Sequence, residues 1–372
     1  MHRAKISGLG GQRLRLFNSA NYNTMRVLLT ADPELPVPPQ LYGGIERIVD
    51  LLVTRLQARG HTVGLVAHRN STSPANQLFP WPGLRSQHKI DALRNTTALW
   101  SAVQQFQPDL VHSFSRVLYL LPLLTSHVPK LMSYQRRPSV NSVTWAAKLA
   151  RSSLTFTGCS DHICSQGQAA GGVWHTIHNC VELEKYSFQP TVAADSPLVF
   201  LSRVERIKGA HTAIAAARAT GRRLLIAGNH GTTGEEGRYW QEQIVPHLGR
   251  DGIEYVGSVN DTQKNALLGT AAAMIVPIEW EEPFGIVFAE ALACGTPVIS
   301  CPLGALPEIV RTGIDGYLVN NVQEACTAIQ NLSQIDRRNC RQRAEQCFSA
   351  SVVVDQYEKL HSSLMSSKLG KS

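Results

Sequence analysis

Two series of short apolar runs, each run followed by a helical pattern, constrain the fold of this 372-residue chain more than any other feature. The first series extends from Met25 to His178, and the second begins at Leu198. Short apolar runs that alternate with helices are typical of parallel strands buried between two helical layers. Residues 181–197, between the two series, are rich in charge and proline, which indicates a linker. We therefore expect an α/β protein with two parallel sheets.

The domain boundaries are predicted from this alternation. Residues 25–185 form a first α/β domain, 186–197 a linker and 198–348 a second α/β domain, while 349–372 form a helix that crosses back to the first domain. A chain of this length usually divides into two cores. Residues 1–24 contain basic residues but no acidic residue and no apolar run, which favours a disordered extension or an early start codon over a targeting peptide.

The composition is that of a globular cytoplasmic enzyme, with 43% hydrophobic and 17% charged residues. Half of the formal net charge of +8 comes from four residues near the start of the chain, and the remainder is dispersed, so nucleic-acid binding is not favoured. Those four residues are Arg3, Lys5, Arg13 and Arg15. No apolar stretch is long enough to span a bilayer.

The eight cysteines contain no CxxC pair, which indicates reduced thiols in the cytoplasm. Cys159, His162 and Cys164 lie close together, but their spacing does not match a zinc module and no second ligand pair follows. We therefore predict that these three residues are structural and that the protein has no metal site.

Residues 282–297, E-P-F-G-I-V-F-A-E-A-L-A-C-G-T-P, contain the strongest local signal for a binding site. They follow the apolar run 271–278, which is predicted to be a buried strand. A helix is predicted from about Gly285 to Ala293, because a glycine and a proline shortly after it prevent continuation. Its first-turn amides emerge at the carboxyl end of a strand, where an anion such as a diphosphate binds well.

Two carboxylates frame this helix start. Glu282 lies just outside the predicted helix and Glu290 lies inside it, with seven residues between them. They are suited to accept hydrogen bonds from the hydroxyl groups of a sugar and a ribose. A glycosidase-like acid–base pair is the less favoured alternative, because Glu290 lies beside the predicted phosphate site rather than across a scissile bond from Glu282.

Two cations follow the first strand of the second series. Arg203 ends the strand and Lys208 begins the helix behind the next turn. At the carboxyl edge of the sheet they are placed to neutralise a diphosphate, although two solvated surface charges are the alternative. The chain contains no P-loop, and the only glycine-spaced candidate for a dinucleotide fingerprint, residues 8–11, follows no strand.

Three first-domain features each have two open interpretations. Gly43 and Gly44 either allow a ligand to approach the backbone closely or form a plain turn before a helix. Basic residues after strands either receive an anionic acceptor or form a solvated loop; these are Arg116, Arg136 and Arg137. The helix that carries Trp145, Lys148 and Arg151 either contacts a membrane surface or packs on the core.

Taken together, several motifs resemble family 4 of the retaining glycosyltransferases, which have the GT-B fold. In the second domain they are L-S-R-V-E-R-I-K-G at 201–209, the Glu-x7-Glu segment with the following A-L-A-C-G-T-P-V-I-S, and G-A-L-P-E-I-V at 304–310. In the first domain they are G-G-I-E-R at 43–47 and D-L-V-H at 109–112. The resemblance extends from Met25 to about Tyr357 and implies two Rossmann-like domains whose parallel sheets face a central cleft.

The resemblance implies a nucleotide diphosphate sugar as donor, UDP- or GDP-linked, and a hydroxyl acceptor. Arg203 and Lys208 would bind the diphosphate, Glu290 the ribose and Glu282 the donor sugar. The other implied contacts are Phe284, Gly285 and Ile286 to sugar and phosphate, Gly257 to Val259 to the base, and Gly43 and Gly44 near the reacting centre. Transfer would proceed by same-face attack in which the leaving phosphate takes the acceptor proton, with no metal or cofactor.

The chain departs from the family at one position. The family commonly has His-x-His after the corresponding strand, whereas this chain has His112, Ser113 and Phe114. A catalytic and a structural role for His112 both stay open. The acceptor is a glycan, a lipid-linked sugar or a small molecule, and the predicted location is the cytoplasm, with contact to the inner face of the membrane as a further possibility. An epimerase, a phosphorylase and a non-catalytic binding protein are the alternative functions.

Overall fold

A computed structural model describes residues 24–40 and 43–369. The predicted disordered extension and the glycine-spaced segment 8–11 therefore lie outside the described residues, apart from residue 24. None of the described helices is long and apolar enough to cross a membrane.

The first sheet has seven parallel strands in the order β3-β2-β1-β4-β5-β6-β7. The strands are β1 (Arg26–Thr30), β2 (Thr62–Ala67), β3 (Gln77–Pro80), β4 (Leu110–Ser113), β5 (Lys130–Tyr134), β6 (Leu154–Gly158) and β7 (Trp174–Thr176). The α-helices between them are α1 (Gly44–Ala58), α2 (Lys89–Phe106), α3 (Val140–Ala150) and α4 (Asp161–Gln168). A 3₁₀ helix, Val117–Leu123, follows β4.

The second sheet has six parallel strands in the order β10-β9-β8-β11-β12-β13. The strands are β8 (Leu198–Leu201), β9 (Leu224–Ala227), β10 (Ile253–Gly257), β11 (Ala273–Val276), β12 (Val298–Ser300) and β13 (Gly316–Leu318). The helices are α5 (Ala210–Thr220), α6 (Gly234–Tyr239), α7 (Asp261–Thr270), α8 (Ile286–Ala293), α9 (Leu306–Ile309), α10 (Val322–Gln330), α11 (Arg337–Arg343) and α12 (Ala350–Leu369).

Side chains of the first sheet alternate between two cores, as strand geometry requires. Leu28 and Val111 pack under α2 and α3 on one face. Leu29 and Leu110 pack on the other face with α1 and with α12, whose Tyr357 is fully buried there. The last helix of the chain therefore belongs to the core of the first sheet.

Residues 69–85 contain the edge strand β3 and the buried Trp81, whose indole N–H donates to the Ala31 carbonyl at 2.8 Å. The 3₁₀ helix after β4 contains Pro122. The glycine-rich segment 228–237 becomes helical at Gly234.

A buried polar chain joins α12 to the first sheet. The ring nitrogens of His112 contact the Ser133 hydroxyl at 2.7 Å and Nε2 of His361 at 3.1 Å. Burial, together with the neighbouring imidazole, lowers the pKa of His112 well below 6.5. Burial also lowers the pKa of His361 to about 3, with a contribution from His61.

We expect these two imidazoles to make the native state acid-sensitive. Their folded pKa values lie below the unfolded value of 6.5, so below that pH the unfolded chain binds protons that the native protein does not. The contribution of each imidazole to the free energy of unfolding is therefore fully retained above pH 6.5. Below that pH it falls by about 1.4 kcal/mol per pH unit for each imidazole. Urea unfolding from about pH 7.5 to pH 5 should show a shallower slope after His112→Asn and His361→Asn together. An unchanged slope would contradict this assignment, and His127→Asn, at an exposed position, is the control.

Candidate functional site

The candidate site lies where the strand order of each sheet reverses. In the first sheet this point is between β1 and β4, and in the second it is between β8 and β11. Ligands of open α/β sheets bind outside the carboxyl ends of the strands at such a point. Arg203 and Lys208 follow β8 and Glu282 follows β11, so the two adjacent strands deliver the predicted second-domain residues to one place.

Lys208 and Glu282 form a buried ion pair. The Lys208 Nζ lies 2.6 Å from the Glu282 Oε2, and the two residues are only 8% and 9% exposed. The same ammonium lies 4.4 Å from the centre of the Trp280 ring. The buried Trp280 indole nitrogen has no hydrogen-bond partner among the described residues. A buried charge pair of this kind requires both partners, because either charge left alone is strongly penalised.

Arg203 lies at the rim of the same site. Its guanidinium is half exposed and pairs with Glu205 at 2.6 Å. Lys208 ends the 3₁₀ helix Arg206–Lys208 in the turn that leads to α5. The site therefore combines one buried and one accessible cation.

The start of α8 borders this ion pair. Gly285 has φ 78°, a left-handed conformation, and a Cβ there would lie 2.5 Å from the Phe288 ring. Phe284 is buried between the rings of His178 and Phe348. The Phe288 amide of the first turn of α8 donates to the Gly285 carbonyl at 3.0 Å. Ile286 and Val287 are the first two residues of α8, and amides at such positions generally lack an acceptor within a helix and favour an anion.

Glu290 is held by two donors. The Tyr186 hydroxyl and the Lys264 Nζ each lie 2.6 Å from the Glu290 Oε1. Burial raises the pKa of the Tyr186 phenol, and the negative charge of Glu290 adds to the effect. The carboxylate is thus positioned with its second oxygen free of both donors.

An ion-pair chain from Glu290 crosses to the first domain. Lys264 also contacts Asp261 at 3.3 Å, and Asp261 pairs with Arg47 of α1 at 2.9 Å. Although burial acts in the opposite direction, the hydrogen bond to Arg47 and the charge of Lys264 lower the pKa of Asp261.

The Gly43-Gly44 turn faces the start of α8. A Cβ on Gly43 would lie 2.7 Å from the Pro39 Cβ and 2.8 Å from a Glu46 carboxylate oxygen, so a larger residue there would require both neighbours to shift. A Cβ on Gly44 would lie 3.4 Å from the Ile286 Cδ1. The starts of α1 and α8 therefore meet across the cleft.

One of the three basic residues predicted on the acceptor side forms an ion pair. Arg136 pairs with Asp32 at 2.9 Å, whereas Arg116 donates to the Ser86 carbonyl and Arg137 is exposed. Burial raises the pKa of Asp32 to about 6, although the Arg136 charge opposes this. The other Asp32 oxygen is buried and has no hydrogen-bond partner among the described residues.

His112 ends up in the core. Its side chain is fully buried, and both ring nitrogens are engaged by Ser133 and His361. Of the two interpretations that the sequence leaves open, this geometry supports the structural one.

Gly257 ends β10 and lies two strands away from β8 at the same sheet edge. Its carbonyl accepts from the Gly228 amide at 2.9 Å, and Val259 is half-buried just beyond it. The residues predicted to contact a base are thus displaced along the edge from the Lys208–Glu282 pair, as an elongated ligand would require.

Glu308 joins the two domains directly. Its carboxylate accepts the backbone N–H groups of Asp161 at 2.7 Å and His162 at 2.8 Å, at the first turn of α4. It also contacts the His178 Nε2 at 3.1 Å. The amide of Ala305, the residue before α9, donates to the Glu282 carbonyl at 2.9 Å. The short helix α9, which carries Glu308, therefore braces Glu282 against the first domain.

The cysteines near α4 are structural in this arrangement. The Cys159 thiol donates to the Pro283 carbonyl at 3.4 Å, and Cys164 is buried. His162 lies 3.3 Å from Glu281 across the domain interface. No group of three His, Cys, Asp or Glu residues within the described ranges is arranged to hold a metal ion.

Family profiles match both halves of the chain. The family described as Glycosyl transferases group 1 matches residues 184–346, and Glycosyltransferase Family 4 matches residues 42–185. With two parallel α/β sheets meeting at a cleft, these matches define a GT-B glycosyltransferase. The chain belongs to the group 1, family 4-like glycosyltransferases.

Individual relatives agree with this class. Glycogen synthase of Mycobacterium tuberculosis is 26% identical over 345 residues, covering 78% of this chain and 81% of that protein. The sucrose-phosphate synthase structure from Thermosynechococcus elongatus superposes with a TM-score of 0.75 at 20% identity, covering 92% of this chain and 100% of that one. Anabaena Alr3699/HepE, solved in complex with UDP and glucose, gives a TM-score of 0.70 at 18% identity, covering 91% and 100%.

Sequence reasoning missed several site residues. Tyr186 was placed at the start of the linker, and Lys264 lies on a helix with no local motif. Glu308 lies in the G-A-L-P-E-I-V motif at 304–310, but its partners are backbone amides of the other domain, which the motif does not indicate. Asp32, the partner of Arg136, was also missed. Unlike the other three residues, it follows the carboxyl end of a strand closely, so a search for polar residues at strand ends would have identified it.

Proposed function

We propose that the protein is a retaining glycosyltransferase that moves a sugar from a nucleotide diphosphate donor, UDP- or GDP-linked, to an acceptor hydroxyl. The observation that carries this proposal is the buried Lys208–Glu282 pair beside the start of α8, at the switch point of the second sheet and opposite the Gly43-Gly44 turn. The Anabaena neighbour solved with UDP and glucose supports the donor class.

In this proposal the donor lies along the edge of the second sheet. Lys208, Arg203 and the first-turn amides of α8 bind the diphosphate. Glu290, held by Tyr186 and Lys264, accepts hydrogen bonds from the ribose hydroxyls. Glu282 accepts a hydrogen bond from a donor-sugar hydroxyl while its other oxygen pairs with Lys208. The carbonyl groups near Gly257 and Val259 face the base.

Transfer breaks the bond between the sugar anomeric carbon and the diphosphate oxygen and forms a bond from the acceptor oxygen to the same face of that carbon. The acceptor proton passes to the leaving phosphate oxygen. Lys208 and Arg203 stabilise the charge that develops on the leaving group, a type of stabilisation worth several kcal/mol when donors are preorganised in a dry site. The proposed reaction assigns this role to the two cations and not to a metal ion.

The acceptor enters on the first-domain side, between the Gly43-Gly44 turn and the Asp32–Arg136 pair. A glycan, a lipid-linked sugar and a small molecule are all compatible with this mixed charge. We propose that the enzyme acts in the cytoplasm.

Incubation with a panel of UDP- and GDP-sugars tests the proposal through binding and through release of the nucleoside diphosphate. We expect one donor class to bind by calorimetry, and NMR of the transferred sugar to show the donor's anomeric configuration. The absence of binding by every donor would overturn the proposal. Conversion of the donor to its epimer without an acceptor product would indicate an epimerase instead.

Glu290→Gln is expected to weaken binding of the nucleoside diphosphate about tenfold, because hydrogen bonds to a charged acceptor contribute roughly 1.5–3 kcal/mol. Lys264 would also lose its buried partner. Calorimetry with UDP and GDP measures the change. Asp251→Asn, which removes a half-exposed partner of Arg218 just before the start of β10, is the control. Equal affinity in Glu290→Gln and the native protein would contradict the ribose assignment.

A further inference from the structure

The proposed chemistry leaves Trp280, the aromatic neighbour of the Lys208–Glu282 pair, without a role. Its ring centre lies 4.4 Å from the Lys208 Nζ, a distance typical of a cation–π contact. Buried indole N–H groups usually find an acceptor, as those of Trp81 and Trp174 do with backbone carbonyls at 2.8 Å and 2.9 Å. The buried Trp280 N–H has no acceptor among the described residues, so a hydrogen bond does not set the orientation of this ring.

The backbone fixes the distance between the ring and the ammonium. Residues 277–280 run along the turn that carries Lys208, and the Glu279 amide donates to the Ile207 carbonyl at 2.8 Å. Gly209, which ends this turn, has φ 76°, and a Cβ there would lie 1.9 Å from the carbonyl oxygen of residue 277. A larger residue at this position would force the two backbones apart. The turn and the segment that carries the ring are therefore held together on both sides of Lys208.

The Lys208 ammonium has three N–H groups and two fixed neighbours. It lies 2.6 Å from the Glu282 Oε2 and over the Trp280 ring, and only 10% of the Lys208 side chain is exposed. Within the described part of the chain no other acceptor contacts it. A lysine side chain is otherwise flexible and strongly hydrated. Here the carboxylate and the ring restrict the direction of the ammonium and leave part of its donor capacity unused.

We propose that Trp280 is a positioning residue for sugar transfer. Its ring holds the Lys208 ammonium beside Glu282, so that the remaining N–H groups point to the donor diphosphate. This inference rests on the proposed function, because it requires that Lys208 binds the diphosphate. The ring also keeps water from the ammonium, which strengthens its attraction to the charge that develops on the leaving phosphate. An aliphatic side chain would exclude water as well, but it would not attract the cation.

Calorimetry with UDP and GDP tests this role in two variants. Trp280→Leu keeps an apolar side chain without an aromatic face, so nucleoside diphosphate binding should weaken about tenfold, the size of a desolvated cation–π contact. Trp280→Phe keeps a face and should stay within about threefold of the native protein. The kcat/KM for transfer should fall in the same order. Trp100→Leu, which removes an exposed indole from α2 of the first domain, is the matched control and should bind like the native protein.

A double-mutant cycle separates positioning from a merely structural role. The background is Lys208→Met with Glu282→Gln, which leaves no buried charge alone. In it, Trp280→Leu should change nucleotide affinity less than about twofold, because the cation that the ring holds is already absent. An equal loss in both backgrounds, an equal loss in Trp280→Phe and Trp280→Leu, or unchanged affinity in Trp280→Leu would overturn the positioning role while leaving the proposed function intact. Failure of the native protein to bind either nucleotide would overturn the proposed function, and this inference with it.

Discussion

Glu282→Gln is expected to lower kcat/KM for sugar transfer about 10²- to 10³-fold, the size of effect seen when one preorganised electrostatic contact is removed. The substitution takes the negative partner from Lys208, which lies 2.6 Å away and is buried. It also removes the charged acceptor proposed for the donor sugar. Steady-state kinetics with the best donor measures the effect.

A buried lysine without its carboxylate also costs stability, on the order of 3–5 kcal/mol. We therefore expect Glu282→Gln to unfold at lower temperature than the native protein. Combining it with Lys208→Met removes the unpaired charge, so the double variant should recover much of the stability but none of the transfer activity. Native activity in the double variant would show that the pair is structural only. Glu254→Gln, an exposed position on β10, is the control.

Glu308→Ala is expected to lower kcat about 10- to 100-fold, because misplacement of reacting groups by a small distance is costly. Its carboxylate is the acceptor for two α4 amides and for His178, so its loss frees the Glu282 loop from the first domain. Burial acts in the opposite direction, but these donors lower the pKa of Glu308. Glu308→Gln, which keeps an acceptor oxygen, should be affected less.

The readout that identifies a positioning role is a split between binding and turnover. Nucleoside diphosphate binding, which we propose rests on the second domain, should be nearly unchanged in Glu308→Ala, while turnover falls. Glu281→Gln is the matched control, because Glu281 is 60% exposed and its contact with His162 crosses the same interface. Exposed ion pairs contribute little. Equal loss in both variants, or loss of nucleotide affinity in Glu308→Ala, would contradict the positioning role.

Most of both sheets was predictable, because the central strands are buried apolar runs and the crossovers have helical periodicity. The helix after Glu282 was predictable because local signals, Gly285 and Gly295, set its limits. The edge strand β3 was not, because its four residues pair only with β2 and carry no alternating pattern.

The site contacts that could not be predicted join residues that are far apart in the sequence. Tyr186 reaches Glu290 over 104 positions in the sequence, and Glu308 reaches Asp161 over 147. Such contacts are created by tertiary packing, of the linker on the second domain for Tyr186 and of the two domains for Glu308, which leaves no local spacing to detect. For His112 a local signal was misleading. Its position at a strand end is typical of a ligand-binding residue, but α12 returns to the first sheet and places His361 against it.

A crystal structure of the protein soaked with UDP or GDP tests the donor site most directly. We expect the diphosphate within hydrogen-bond distance of the Lys208 ammonium and the first-turn amides of α8, and the ribose hydroxyls on Glu290. Arg203 should turn from Glu205 toward the phosphates. A nucleotide bound away from the β8–β11 switch point, for example in the depression of about 460 Å³ lined by Thr212, Cys301 and Asn320, would contradict the proposed function.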